Sequence, residues 1–228
     1  RPVEIEFAVN LHDDKSGEFY LLQIRPMVDN RMDINEDLTL VPDDDCLLRS
    51  HNAIGNGIIT DITDVVYVKT DAYQPSQNPS IAEEIERINR SFLATGTSPD
   101  ANGDTSVQAA SYLLIGPGRW GSSDPWLGIP VKWPHISAAQ VIVEAGLDNY
   151  QVDPSQGTHF FQNLTSFGVG YFTVNDFLGD GVYNQVFLNS QPAVEETAHV
   201  RHVRFSSPVV IKVDGMKKEG VVMLPGVE

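Results

Sequence analysis

The sequence predicts a strand-rich fold of the α/β or α+β class, with a short terminal hairpin followed by a larger mixed domain. Three observations predict it. Apolar and polar residues alternate from the first residues onward, the period of a half-buried strand. Further short runs rich in Val, Ile, Tyr and Phe recur between clusters of Gly, Pro, Asn and Asp. Only one long segment, near residue 80, carries a clear helical period.

Residues 3–11 alternate and read as a strand, and residues 19–24 as a second. Residues 12–18, with Asp13, Asp14, Ser16 and Gly17, form the turn between them, so the pair is a hairpin. Pro26 ends the second strand because proline cannot donate to a ladder. Residues 28–45 carry Asp29, Asp33, Glu36, Asp37, Asp43, Asp44 and Asp45 and resist burial. The expected organisation is therefore a hairpin at 1–27, an acidic linker at 28–45 and a mixed domain at 46–228. In that domain, residues 58–69 hold two β-branched runs split by Asp61 and Asp64. Pro79, Ser80 and Glu83 read as a capping box opening a helix to about Leu93, with Ile81, Ile85, Ile88 and Phe92 on one stripe. Residues 94–106 read as a loop, and residues 112–115 as a short buried strand entering a Gly-rich loop at 116–128. Strands are expected at 141–144, 169–174, 182–188, 198–205, 209–213 and 220–224, and a short helix at 158–167. Asp214-Gly215 suits the turn between the strands at 209–213 and 220–224.

Composition excludes several classes. The chain has 228 residues, of which 41% are hydrophobic. That is enough for one large domain or two modest ones. No apolar run approaches the ~18 residues that cross a bilayer as a helix. Cys46 is the only cysteine, which excludes a disulfide framework and a Cys-rich zinc site; with only Arg49 as a basic neighbour it is expected to be inert. Fifteen Lys and Arg against 31 Asp and Glu give a formal net charge of −16. Such a balance argues against nucleic acid and against anionic membrane surfaces as partners. The chain opens Arg1-Pro2-Val3 without an initiator Met or signal-peptide pattern, and reads as a piece of a longer protein. A cytoplasmic location is the expectation.

Three groups of residues carry candidate chemistry. Glu6 and Gln23 can share one side of the hairpin, with Arg25 on Gln23's face by the two-residue period. A carboxylate and an amide oxygen suit a hard cation such as Mg²⁺, and a guanidinium suits phosphate. The other reading is a surface hairpin with a chance ion pair. In the loop at 116–128, Gly118 and its neighbours free backbone N–H groups, Arg119 adds a planar fork, and Ser122 and Ser123 add hydroxyls, a composition for phosphate. The other reading is a structural loop pinned by Trp120 and Trp126. Thr158 suits an N-cap and leaves His159 in the first turn of a helix, where free N–H groups stabilise an anion. The other reading is a core histidine beside Phe160 and Phe161. The remaining histidines, His199 and His202 among them, read as surface residues.

Glu4-Ile5-Glu6-Phe7 followed by Phe19-Tyr20-Leu21-Leu22-Gln23-Ile24-Arg25-Pro26 resembles the end of the ATP-grasp nucleotide-binding domain of the phosphoenolpyruvate synthase and pyruvate phosphate dikinase family. The resemblance covers about 25 residues at the level of strand and hairpin. It implies that Glu6 and Gln23 hold a Mg–nucleotide and that Arg25 contacts the transferring phosphate. It also implies that the rest of the ATP site belongs to an upstream ATP-grasp portion of the same protein. Mg²⁺ and ATP are then cofactors of the full-length protein, with none held tightly by this piece, which alone would be inactive. Gly157-Thr158-His159 and the later Gly168-Val169 are similar to the family's phosphohistidine segment, although Phe160 and Phe161 stand where that family has small residues. The resemblance thus implies relay of phosphate from ATP through His159, supported by Thr158, to a small-molecule acceptor such as pyruvate. The family's pyruvate-binding barrel takes ~250 residues, more than this chain offers, so the acceptor stays open. The alternative is a non-catalytic docking, regulatory or assembly domain attached to an ATP-grasp enzyme. Either reading allows an oligomer.

Overall fold

The computed structural model of the chain describes residues 3–12, 16–26, 34, 36–71, 73–95, 110–147 and 169–227. It divides into two units, Arg1–Arg31 and Met32–Glu228. The smaller is an antiparallel hairpin of β1 (Val3–Leu11) and β2 (Gly17–Pro26). Cross-strand pairs Ile5–Ile24, Phe7–Leu21 and Val9–Phe19 make one face apolar, and Phe7 stacks on Phe19 at 5.1 Å. Those six side chains are all exposed within the structure.

The hairpin contains a bulge that the alternation of β2 requires. Phe19 and Leu21 are on the apolar face, so strict alternation would put Gln23 beside them and turn Ile24 to the other side. The register shifts between Glu6 and Phe7, whose partners are Gln23 and Leu21, leaving Leu22 as the extra residue. That extra residue returns Ile24 to the apolar face and sets Gln23 opposite Glu6.

The larger unit is built on a mixed sheet. Its strands are β3 (Cys46–Ser50), β4 (Asn52–Ile54), β5 (Asn56–Val68), β6 (Tyr112–Pro117), β9 (Ala139–Ala145), β10 (Gly170–Val174), β11 (Val182–Tyr183), β12 (Ala193–Glu196), β13 (Val200–Asp214) and β14 (Glu219–Met223). A separate parallel pair, β7 (Arg119–Trp120) and β8 (Gly128–Ile129), lies in the Gly-rich loop. The sheet order is β11-β3-β14-β13-β5-β6-β9-β10-β4, with β12 on β13. β5, β6, β9 and β10 run parallel, and the remaining neighbours are antiparallel. Parallel strands are covered on both faces and so read as continuous apolar runs. Every residue of β6 is buried accordingly, as are residues 65–68 of β5.

Two hydrophobic clusters occupy the two faces. Val66, Val68, Leu114 and Ile142 pack against helix α1 (Asn78–Thr95) through Ile81, Ile85, Ile88 and Phe92, the stripe read from the sequence. Val65, Tyr67, Leu113, Val143 and Phe172 pack with Leu188 of the short helix α2 (Gln185–Ser190) on the other side. The start of α1 differs from the expected box at Ser80. The Gln77 side-chain carbonyl accepts from the Gln74 N–H at 3.0 Å, one turn earlier, and a 3₁₀ turn at Pro75–Gln77 runs directly into the helix.

Three further expectations are corrected. Residues 182–188 are not one strand: Asn184 accepts from the Phe187 N–H at 3.0 Å and caps α2, which ends the strand at Tyr183. The expected strands at 198–205 and 209–213 are one, β13, whose register shifts between Arg204 and Val209 absorb Pro208. The acidic segment is not a tether throughout. Leu38 is buried with Cys46, Val221 and Met223, and 3₁₀ turns form at Leu38–Leu40 and Asp43–Asp45. The buried Arg49 organises them, donating to Asp43 at 2.7 Å, to the Leu38 carbonyl at 2.8 Å and to the Val41 carbonyl. Its three acceptors make burial of the guanidinium tolerable, while the acidic turn itself stays unburied. Cys46 lies beside it, and burial pushes its thiol up, in keeping with an inert cysteine.

Candidate functional site

Glu6 and Gln23 are direct cross-strand partners and both are exposed, so their side chains share the hairpin face opposite Phe7 and Phe19. Arg25 follows two positions after Gln23, with its backbone paired to Glu4. The donor set of one carboxylate and one amide carbonyl fits a hard cation. His159 and Thr158 lie outside the described residues.

The Gly-rich loop leaves the C-terminal end of β6, where open parallel sheets bind ligands. Its backbone is spent internally, which corrects the expectation of free N–H groups. Gly118 donates to Ala145 at 3.1 Å, Arg119 to Leu127 at 2.9 Å and Gly121 to Ile129 at 2.9 Å. The Trp120 N–H donates to the carboxylate of Glu144 at 3.0 Å. Ser122 is also engaged, donating to the Asp124 carbonyl at 2.9 Å and accepting from its N–H at 3.2 Å. Arg119 is half-buried and Ser123 exposed. Trp120 is buried and donates from its indole to the Val143 carbonyl at 2.9 Å, whereas Trp126 is exposed. The loop is thus anchored by one tryptophan, not two.

Glu144 is the hidden part of that anchor. It is fully buried at the end of β9, level with Gly116 of β6 and Thr173 of β10. It accepts from Trp120 and from the Tyr171 hydroxyl. Gly116 has to be glycine because the indole lies over it: a Cβ there would overlap the Trp120 ring. Gly116→Ala is expected to lower the unfolding free energy by about 1–3 kcal/mol, as overpacking does. Urea denaturation of the two proteins checks this, and equal midpoints would mean that the ring moves aside freely.

The larger unit also holds a cavity of ≈ 360 Å³ at the C-terminal end of β5, lined by Lys69, Asp71, Tyr73, Gln77, Ile81, Glu196, Ala198 and His199. Its polar wall is organised by Glu84 on α1. Glu84 accepts from the His199 N–H at 3.0 Å, from His199 Nδ1 at 2.7 Å and from the Thr197 hydroxyl. Burial pushes its carboxyl up, but these bonds outweigh that and hold it below the usual carboxylate range. Because a carboxylate only accepts, Nδ1 carries the proton, and Nε2 is the ring nitrogen left for the cavity. Lys69 donates to Glu196 at 3.1 Å and to the Thr197 carbonyl at 2.8 Å. Burial pushes the Tyr73 phenol up, and it donates to Asn78 at 3.0 Å.

The surface reading of His199 and His202 is corrected on the same ground. His199 is half-buried in this cavity wall, and His202 is buried with Asp64 at 2.6 Å. One sequence signal points here. Lys69 ends one expected strand and His199 opens another, so antiparallel pairing brings them together; the Lys69 N–H donates to the His199 carbonyl at 2.8 Å. Among the described residues no group of His, Cys, Asp and Glu is arranged to hold a metal ion, and no helix is long and apolar enough to cross a membrane. Comparison with protein-family models, with curated proteins and with solved structures finds no match.

Proposed function

We propose that this chain is part of an ATP-dependent phosphotransferase resembling phosphoenolpyruvate synthase and pyruvate phosphate dikinase. In this reading the hairpin β1–β2 completes a nucleotide site whose remainder is an upstream ATP-grasp portion. The observation that carries the reading is the bulged register pairing Glu6 with Gln23 on one face. The exposed apolar face behind them supports it, since an isolated two-stranded hairpin is marginal and such a face is normally covered by further sheet or helix. Glu6 and Gln23 would hold Mg²⁺, which supplies charge neutralisation at the phosphates. Arg25 offers a fork that matches a phosphate oxygen pair. His159 relays the phosphate to a small acceptor such as pyruvate. Catalysis in this class is positioning and electrostatics, which explains why few residues of this chain are asked to do covalent work.

The test uses the full-length protein and ATP labelled at each phosphate in turn. Glu6→Ala and Gln23→Ala are each expected to cut acid-labile label on the protein by at least about 100-fold, the scale of losing metal support. Both are exposed, so stability should hardly change. Full labelling in either variant would remove the hairpin from the nucleotide site. A second reading, that the larger unit is a docking or regulatory module attached to that enzyme, is favoured by the polar cavity at the end of β5.

A further inference from the structure

We infer that the cavity at the end of β5 is a binding site for a small, neutral, polyhydroxylated ligand, with His199 Nε2 and Asp71 as its principal contacts. This inference rests on the second reading above and is independent of phosphotransfer.

The size comes first. The cavity volume is ≈ 360 Å³. That lies at the lower end of the range of small-molecule pockets. The charges decide the ligand class. Lys69 is neutralised by Glu196 at 3.1 Å, and Glu196 also meets Arg201 at 3.1 Å. His199 faces the carboxylate of Glu84 at 2.7 Å. An anionic ligand would face Asp71 and Glu196; a cationic one would face Lys69. Either would meet a like charge in a wall where Lys69 and His199 are already matched and only the exposed Asp71 carboxylate is not, and an unmatched charge is costly to desolvate.

The remaining hydrogen-bonding capacity is mixed. His199 Nε2 faces the cavity with Nδ1 already spent on Glu84, and Asp71, for which no partner is found among the described residues, accepts through its carboxylate. Gln77 spends its carbonyl on Gln74, which leaves its amide N–H₂ to donate. Lys69 uses two of its three donors, and the Tyr73 oxygen keeps its lone pairs after donating to Asn78. A hydroxyl group is donor and acceptor at once, so a ring or chain of adjacent hydroxyls meets acceptors and donors in turn without introducing charge. Ile81 and Ala198 give the wall an apolar part, where the C–H face of such a ligand is buried. Glu84 fixes the His199 ring in place and so presets the direction of Nε2, in the manner of a carboxylate orienting an imidazole.

The experiment is a titration of the 228-residue chain, followed through the His199 ring signals by NMR. D-glucose and myo-inositol are the probes, and acetate, inorganic phosphate and methylammonium the comparators. Saturable millimolar shifts at His199 from either polyol, and none from the three ions, are expected. Stronger saturation by any of the ions would overturn the proposal, as would the absence of a saturable shift from both polyols. Asp71→Asn, at an exposed position, and His199→Phe should each weaken polyol binding about tenfold, the scale of one charge-assisted or buried hydrogen bond. If His199→Phe fails to fold, Asp71→Asn decides: an unchanged affinity there rejects the assignment. Glu6→Ala should leave polyol binding intact, which separates failure of this site from failure of the phosphotransfer reading.

Discussion

Trp120→Ala is expected to destabilise the larger unit by about 3–5 kcal/mol, the cost of removing a fully buried aromatic side chain. The indole fills the space that Gly116 leaves open, donates to the Val143 carbonyl, and packs on Ile129 in the parallel pair β7–β8. Its removal also loosens the backbone N–H that meets Glu144. The buried carboxylate then keeps Tyr171 but loses a donor, which adds to the cavity cost. Trp120→Phe keeps most of the ring and gives up the indole hydrogen bond, so it should cost about 1–2 kcal/mol. Urea denaturation followed by far-UV circular dichroism measures both. A loss below about 1 kcal/mol for the alanine variant would show that the loop is not anchored by packing.

The second large effect belongs to Asp64. Its carboxylate lies within β5 and is buried, and it accepts from His202 at 2.6 Å, Arg204 at 2.8 Å and Thr63 at 2.8 Å. His202 in turn packs on Phe92 of α1 at 5.2 Å, so one carboxylate ties two strands and the covering helix together. Burial pushes the Asp64 carboxyl up, but the bonds from His202, Thr63 and Arg204 outweigh it and hold the group below its ordinary value. Asp64→Ala leaves His202 without its acceptor in the core and is expected to cost about 3–5 kcal/mol. The pH dependence follows from the depressed value. The contribution is complete above the unfolded value of about 4 and is lost as pH falls through the lower folded value. The stability gap between wild type and Asp64→Ala should therefore be flat above about pH 5 and close below about pH 4. A gap that persists unchanged into stronger acid would mean that Asp64 is held by packing alone.

What the sequence discloses and what it hides divide along contact distance. The hairpin is legible because alternation in β1 and the turn residues are local, and so is the α1 stripe of Ile81, Ile85, Ile88 and Phe92. The bulge at Leu22 is half legible: strand periodicity lets Glu6 and Gln23 share a side, but the break in period that makes them do so shows only in the pairing. The loop at 116–128 stands out as a segment, yet the use of its N–H groups depends on Ala145, Glu144 and Leu127, which no local pattern announces. The cavity is hidden for the same reason. Glu84 and His199 are 115 residues apart, and Asp64 and His202 138 apart. A lone histidine in a polar turn looks like a surface residue until the topology brings a carboxylate to its ring.

The position of β13 has a consequence for how the chain comes off the ribosome. β13 is made long after β5, yet it pairs with β5 near the middle of the sheet. Val68 waits for Val200, and Asn56 for Asp214. More than about a hundred residues must be added in between, so at about 5–20 residues per second one edge of β5 stays open for roughly ten seconds. An open apolar edge is a template for pairing between nascent chains. Asp61 and Asp64 interrupt that edge with charge, the placement by which natural sequences guard unavoidable strands. Asp64 would then serve twice: as a gatekeeper during synthesis, while water still solvates it, and as the acceptor for His202 and Arg204 once the late strand arrives.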